Sequence, residues 1–372
     1  MFLAFREMRR AKARFGLLAG AVGLLIFLIL FQQALLGGLV SQFIGALEHQ
    51  SGEVLVYNDQ ARKNLEGSVI LPGQLEQVRN VPTVGEASPL GESTFTVTAG
   101  GKERDTVLFG YVLGKPGAPT TLIEGRLPRT SNEAVASEKD RADGYSIGDV
   151  VQVQPDGVKI TVVGLARDIN YSVTPVLFVD FPTFVAAKKT RNPDATEILA
   201  SAVAVVPKPG ASASQVATDI NAQVTGVQAL TRQQAVDGSP GVSSVKSSFA
   251  IILLLFYLVV PLVTGLFFLI VTFQKASALT LLRAIGAPAG SLVRSLLVQV
   301  VVIMAAGSLI AFGLYAGAIQ GVKNLGVQIE VMPAVITSLV VLALALVTSL
   351  VAVRRVLRLD PLSATTGGGV HV

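Results

Sequence analysis

The feature that most constrains this chain is a set of four long stretches that contain no charged residue. Each is longer than the about 20 residues that an α-helix needs to cross a hydrocarbon layer of about 30 Å. Only helices and closed barrels satisfy their backbone polar groups in lipid, and barrel strands are short segments of alternating polarity. The stretches therefore predict four membrane-spanning helices: Phe15–Leu47, Ser247–Gln274, Ser295–Val322 and Val331–Val353.

About two hundred residues separate the first stretch from the second, and they have the composition of a water-soluble domain. This insert holds 18 Lys/Arg and 22 Asp/Glu, a net charge of −4, while the rest of the chain carries +9. β-branched and alternating runs predict seven strands, and helical patterns appear near residues 73–79 and 211–224. The middle of the insert, residues 124–163, is rich in turn residues and is expected to form a separate lobe. The predicted fold class is an α-helical membrane protein with four transmembrane helices plus an α+β extracytoplasmic domain inserted between helices 1 and 2.

These patterns divide the chain into eight segments. The N-terminal segment mixes apolar and basic residues, which suits either an amphipathic helix on the inner leaflet or a plain basic flank. The segments are 1–14 (N-terminal), 15–47 (helix 1 with a stalk), 48–246 (inserted domain), 247–273 (helix 2), 274–294 (cytoplasmic coupling segment), 295–320 (helix 3), 333–353 (helix 4) and 354–372 (tail).

The basic residues set the orientation. They cluster before the first stretch, between the second and third, and after the fourth, and short loops rich in Lys and Arg stay in the cytoplasm. With four spans, all three clusters fall on one side. We therefore expect a multi-pass protein of the cell membrane, in contact with its lipids, with both termini cytoplasmic and the inserted domain outside. The basic excess thus reflects membrane topology and does not indicate nucleic-acid binding.

Several function classes lack their sequence signals. There is no GxxxxGK[ST] phosphate loop, no HExxH and no GxSxG motif, and the chain has two histidines and no cysteine. These absences argue against an enzyme, a Cys-based metal site and an intrinsic cofactor. The spans also contain no acidic residue, which argues against proton-coupled transport. Energy for any transport is therefore expected to come from a partner protein.

Two segments near the membrane carry a family resemblance, together with the arrangement of one span, a large outer domain and three spans. Residues 281–287 read LLRAIGA and residues 354–362 read RRVLRLDPL. Both resemble the permease subunits of ABC transporters of the MacB/FtsX type. Within the insert, the series Glu124-Gly125-Arg126-Leu127-Pro128, Asn132-Glu133 and Gly148-Asp149 is similar to the outer-domain pattern of that family. One departure is Ala278, where the family usually has an acidic residue before the LLRA segment.

The resemblance implies a permease without its own motor. Two copies would form a homodimer, and each would dock a separate cytoplasmic ATPase that binds the ATP. The residues implied in ATPase coupling are Leu282, Arg283, Ile285 and Gly286. Arg283 also has a simpler interpretation, as a charge that sets topology.

Haem exporters of the HrtB type belong to this family, and haem iron takes His and Tyr ligands. Glu48 and His49 follow the first span, and Tyr257 lies in the second, so these three are the candidate substrate-binding residues, with Tyr171 of the insert as a further candidate. Haem is the best single substrate hypothesis. Efflux of another amphipathic compound, and mechanotransmission or lipoprotein handling, stay open, as does an interfacial His49 without a ligand.

Overall fold

The computed structural model describes residues 12–274, 289–321 and 331–357. The chain divides into two compact units. A helical unit contains the chain up to Leu36 and the helices after Ser247, and an inserted domain contains Gly37–Lys246. Each unit is described by itself.

Four helices in the described residues are long and apolar enough to cross a membrane, as the charge-free stretches predicted. The first is continuous over 37 residues and ends at the entry to the inserted domain. The four helices are α1 (Lys12–Glu48), α6 (Val242–Gln274), α7 (Ala289–Gly321) and α8 (Val331–Leu357).

Small residues and side-chain amides join the helices of this unit. A Cβ on Gly23 of α1 would lie 2.9 Å from the carbonyl oxygen of Gly307 on α7, so these two helices cross with their backbones in contact. The Gln32 amide donates to the carbonyl of Phe249 on α6 at 2.9 Å. The next residue, Gln33, accepts from the hydroxyl of Thr337 on α8 at 3.1 Å. Two adjacent amides thus tie α1 to two different helices.

The inserted domain is built on one ten-stranded sheet in the order β10-β1-β9-β2-β3-β8-β5-β7-β4, with β6 pairing with β2 and β7. The pairs β3–β8 and β5–β7 are parallel, and the others are antiparallel. The strands are β1 (Val54–Asn58), β2 (Val84–Ala99), β3 (Lys102–Tyr111), β4 (Leu122–Gly125), β5 (Glu133–Ser137), β6 (Val150–Val153), β7 (Lys159–Ala166), β8 (Val176–Asp180), β9 (Ala202–Pro207) and β10 (Val227–Thr231).

Residues 124–163 do not form a separate lobe, so that prediction was wrong. Their strands β5, β6 and β7 pair with β8 and β2 and extend the same sheet. The turn-rich composition reflects the short connections between these strands. Two helices were not predicted: α3 (Phe181–Arg191) and α5 (Arg232–Gly238). The expected helices are present as α2 (Pro72–Arg79) and α4 (Ala213–Gln223).

Helices α2, α3 and α4 pack against the sheet at positions where its residues are small or apolar. Gly91 on β2 and Gly110 on β3 lie under the Phe184 side chain of α3, since a Cβ at either position would come within 2.4 Å of that side chain. On the side of β1 and β9, α2 and α4 pack against a valine-rich cluster. The other face of β1, β2 and β3 forms a second core, which also contains Ala46 and Leu47 from the end of α1. We call this second cluster the stalk core.

Candidate functional site at the end of the first helix

The end of α1 is held firmly by the inserted domain. Ala46 and Leu47 are at most 1% exposed. The carbonyl of His49 accepts two bonds from Thr120, one from its backbone N–H and one from its hydroxyl, each 2.8 Å long. The next residue, Gln50, is fully buried, and its carbonyl accepts from the Arg232 guanidinium at 2.9 Å. The main chain that carries the candidate ligands therefore has a defined position.

The side chains of Glu48 and His49 are both half-buried at this helix end. Within the part of the chain that the structure describes, neither the carboxylate nor the imidazole takes part in a hydrogen bond or ion pair. A carboxylate and an imidazole on consecutive residues, on a fixed backbone and without internal partners, are available to an external ligand. The structure thus brings Glu48 and His49 together.

Tyr171 is a core residue, which corrects its assignment as a candidate haem ligand. The side chain is 5% exposed and packs edge-on against Phe109 with the ring centroids 5.4 Å apart. Burial raises the pKa of Tyr171, and the nearby Glu92, Tyr57 and Glu66 raise it further. A tyrosine that ligates iron does so as the phenolate, which this environment disfavours. This burial could not be predicted from local sequence, because Tyr171 lies in a loop rather than in a patterned strand.

Tyr257 lies on α6 and is half-buried against the apolar cluster of the helical unit. It belongs to that unit, whereas Glu48 and His49 belong to the inserted domain, so no single unit contains all three residues. The described residues do not include the residues proposed for ATPase coupling, Leu282, Arg283, Ile285 and Gly286. Ala278 and residues 360–362 also lie outside the described part of the chain.

The outer-domain motif has a structural role. Glu133 accepts from the Arg126 guanidinium at 2.7 Å and from the backbone N–H of Arg129 at 2.8 Å. The hydrogen bond from Arg126, followed by those from the backbone, lowers the pKa of Glu133 to about 2. The carboxylate thus closes the turn between β4 and β5. The motif residues therefore shape the sheet edge rather than a binding site.

Three features were missed by sequence reasoning. Gln32 and Gln33 are uncharged, so a search for charged residues in the spans passed over them, although two adjacent amides in an apolar run are a detectable signal. Glu92 is an ordinary acidic residue in sequence, yet it is 3% exposed in the stalk core. Gly45, near the end of the first charge-free stretch, lies against the inserted domain: the Asp168 carbonyl oxygen is 2.2 Å from where a Cβ would lie.

A metal site has no support in the described residues, where no group of three or more His, Cys, Asp or Glu side chains could hold an ion. Candidate ligands are therefore limited to substrate contacts.

Comparison with known proteins defines the class of protein. The model of the MacB-like periplasmic core domain matches residues 16–223, and the model of the FtsX-like permease C-terminal domain matches residues 250–361. Both matches agree with one helix, an inserted α/β domain and three further helices. The chain therefore belongs to the MacB/FtsX-type family of ABC transporter permeases. It is a membrane protein with a large extracytoplasmic domain, and an ABC permease works with an ATPase subunit.

Individual relatives match over the full length. The "Putative hemin transport system permease protein HrtB" of Staphylococcus epidermidis is 23% identical over 369 residues, covering 99% of this chain and 100% of the relative. An "Uncharacterized ABC transporter permease" of Mycobacterium tuberculosis is 24% identical, with 99% of each chain covered.

Among solved structures, the periplasmic region of MacB from Actinobacillus actinomycetemcomitans has a TM-score of 0.37 at 12% identity, covering 51% of this chain and 92% of that one. The extracellular domain of YknZ from Gram-positive bacteria has a TM-score of 0.34 at 14% identity, covering 48% and 99%.

Proposed function

We propose that this permease exports an amphipathic compound from the membrane, with haem as the substrate, and that it does so as a homodimer driven by a separate ATPase. The observation that carries the haem assignment is the full-length similarity to relatives named as hemin transport permeases. The half-buried pair Glu48 and His49 at the end of α1 supports it, because an imidazole without a partner among the described residues is a suitable iron ligand.

In this proposal His49 ligates the haem iron, and Glu48 supplies a second polar contact at the same helix end. The macrocycle is apolar, so it partitions into the membrane and reaches the end of the first span from there. Tyr257, on the second span and in the helical unit, is a separate candidate contact for the apolar macrocycle. Haem is thus cargo, and the chain has no resident cofactor of its own.

ATP would be bound by the partner subunit. The coupling segment 274–294 would dock this ATPase on the cytoplasmic side, where Leu282, Ile285 and Gly286 offer apolar contact and Arg283 offers charge. At position 278 this chain has alanine where the family usually has an acidic residue, so docking of the ATPase cannot depend on a carboxylate there. Cytoplasmic termini follow from the basic clusters, which lie on one side of four spans.

The test is a haem titration of the purified full-length permease in lipid nanodiscs, followed in the Soret band. We expect a shift in wild type that is lost in His49→Ala and weakened in Glu48→Gln. The matched control is His371→Ala, which removes the other histidine of the chain, in the C-terminal tail. Absence of a shift in wild type, or equal loss in both histidine variants, contradicts the haem assignment.

The second candidate is mechanotransmission or lipoprotein handling, in which the inserted domain acts on extracytoplasmic partners. The firm attachment of the α1 end to the inserted domain favours it, because force can then pass along the helix. Under this function, nucleotide-driven activity would persist in His49→Ala, and no membrane-soluble compound would stimulate the ATPase. Measuring ATPase stimulation by haem in liposomes separates the two.

A further inference from the structure

The stalk core contains an acidic side chain that has no partner. Glu92 lies on β2, it is 3% exposed, and neither carboxyl oxygen has a hydrogen-bond partner among the described residues. Only its backbone is engaged, since the N–H donates to the Ser201 hydroxyl at 3.0 Å. An unpaired carboxylate in an apolar interior is strongly disfavoured, so such a group tends to bind a proton instead.

The surroundings of Glu92 are aromatic and polar rather than cationic. Across the β2–β3 pair it lies directly opposite Phe109, whose ring contacts Tyr171. On the same sheet face is Tyr57 of β1, a fully buried residue whose hydroxyl also lacks a partner in the described chain. Ala202 of β9, which lies opposite Leu90 of β2, belongs to the same core.

The charged groups near Glu92 do not neutralise it. Burial is the main cause that raises the pKa of Glu92, to about 7, and the carboxylate of Glu66 raises it as well. Lys188 on α3 acts in the opposite direction, but burial lowers the pKa of that lysine too. The tyrosines at positions 57 and 171 are neutral, because burial raises the pKa of each. No cation forms an ion pair with Glu92 among the described residues.

We propose that Glu92 is a proton-binding site that controls how tightly the stalk core packs around the end of the first membrane helix. With the proton bound, the neutral carboxyl packs with Tyr57 and Phe109. When the proton leaves, a charge without a partner stays in this core and favours local opening. The same core holds Ala46 and Leu47, so the opening loosens the attachment of α1. The pH outside the cell would thereby tune the inserted domain.

The sign of the effect follows from proton linkage. The folded domain binds this proton more tightly than the unfolded chain, whose glutamate has a pKa of about 4.3. The stabilisation is complete below that ordinary value and is lost as the pH rises through about 7. Between pH 6 and 8 the equilibrium constant for opening should therefore rise about tenfold.

The test is amide hydrogen exchange of the full-length permease in nanodiscs between pH 6 and 8, corrected for the intrinsic pH dependence of exchange. We expect protection of β2 and of residues 46–47 to fall about tenfold in wild type. Glu92→Gln keeps the shape of the protonated acid without ionising, so its protection should not change with pH. Glu103→Gln, at an exposed site on the neighbouring strand β3, is the matched control and should behave as wild type.

The proposal is overturned if wild-type protection is independent of pH, or if Glu92→Gln keeps the wild-type dependence. If the Gln variant does not fold, infrared spectroscopy of the permease with Glu92 retained decides. Burial also raises the pKa of Asp140, to about 6, so the spectra are recorded in an Asp140→Asn background. A protonated carboxylic acid at pH 6 that is lost by pH 8 in this background supports the proposal, and its absence at pH 6 overturns it. Neither measurement uses haem or nucleotide, so the result is independent of the proposed function.

Discussion

Gly45→Ala should weaken the attachment of the first membrane helix to the inserted domain. Gly45 lies in the last turn of α1, against the loop of residues 167–174 that connects β7 to β8. A Cβ at this position would come within 2.2 Å of the Asp168 carbonyl oxygen and 2.9 Å of its carbonyl carbon. These atoms belong to a backbone, which cannot rotate away as a side chain can. Either the helix or the loop must therefore shift.

The shift has a cost that can be worked out from the hydrogen bonds it would break. Three main-chain bonds of 2.9–3.0 Å join this helix end to the loop: Val173 N–H to Gln42, Ser172 N–H to Phe43, and Ala46 N–H to Asn170. At about 1 kcal/mol each, their loss costs about 3 kcal/mol. Alanine is a better helix former than glycine by up to about 1 kcal/mol, which offsets part of this loss. The expected net destabilisation is about 2 kcal/mol.

The loop itself resists adjustment. Asp168, Ser172 and Val173 have φ values of 55°, 49° and 60°, in the left-handed region that a β-branched valine seldom adopts. Asn170 is 3% exposed and its side chain is fixed by the Ser137 hydroxyl at 3.0 Å and the Asp140 carboxylate at 3.1 Å. Such conformations persist only where the surroundings hold them, so the loop has few alternatives to its present path.

Thermal unfolding followed by tyrosine fluorescence suits this measurement, because the chain has no tryptophan and four of its six tyrosines are in the inserted domain. For a domain of this size, about 2 kcal/mol should lower Tm by roughly 4–8 °C. The matched control is Gly20→Ala in the same helix, where a Cβ meets nothing within 4 Å, and its Tm should not fall. An unchanged or higher Tm for Gly45→Ala would refute the reasoning.

Two further predictions concern the helical unit. Gly23→Leu should push α1 away from Gly307 and lower the free energy of unfolding by about 1–3 kcal/mol through overpacking. The control, Gly20→Leu, should lower it less. Both effects are measured as resistance to denaturing detergent, followed by far-UV circular dichroism. Gln33→Leu should cost about 0.6 kcal/mol by removing the bond from Thr337, and adding Thr337→Val should then cost little more, which a double-mutant cycle in the same assay would show.

The four membrane helices were predicted well from sequence, because charged residues are disfavoured in lipid and long runs without them are therefore easy to recognise. A run such as residues 15–47 has few alternatives to a spanning helix. The strands of the insert were found where β-branched residues repeat, as in Ala202–Pro207. Three strands were missed. The exposed edge strand Leu122–Gly125 buries no side chain that would create a pattern. The other two are Glu133–Ser137 and Val227–Thr231.

The candidate site was predictable only in part. Position after the first span identified Glu48 and His49, because helix ends can be located from hydropathy. Tyr171 was excluded as a haem ligand because it is buried. Its burial depends on how a loop folds back onto the sheet, which local sequence does not encode. The environments of Glu92 and Gly45 could not be predicted from local sequence either. Their environments come from residues such as Phe109 and Asp168, which are distant in sequence.

The ionisable groups of this permease are distributed unevenly, which suggests different roles for the membrane spans and the inserted domain. The membrane spans hold no acidic residue, so a proton or ion pathway through them has no obvious carriers. Of the 25 acidic residues, 22 lie in the inserted domain. One of them, Glu92, is buried without a partner among the described residues, in the core that receives the end of α1. Proton binding at Glu92 can therefore influence the attachment of the first span to the inserted domain, whereas under the proposed function the energy for transport comes from a separate ATPase.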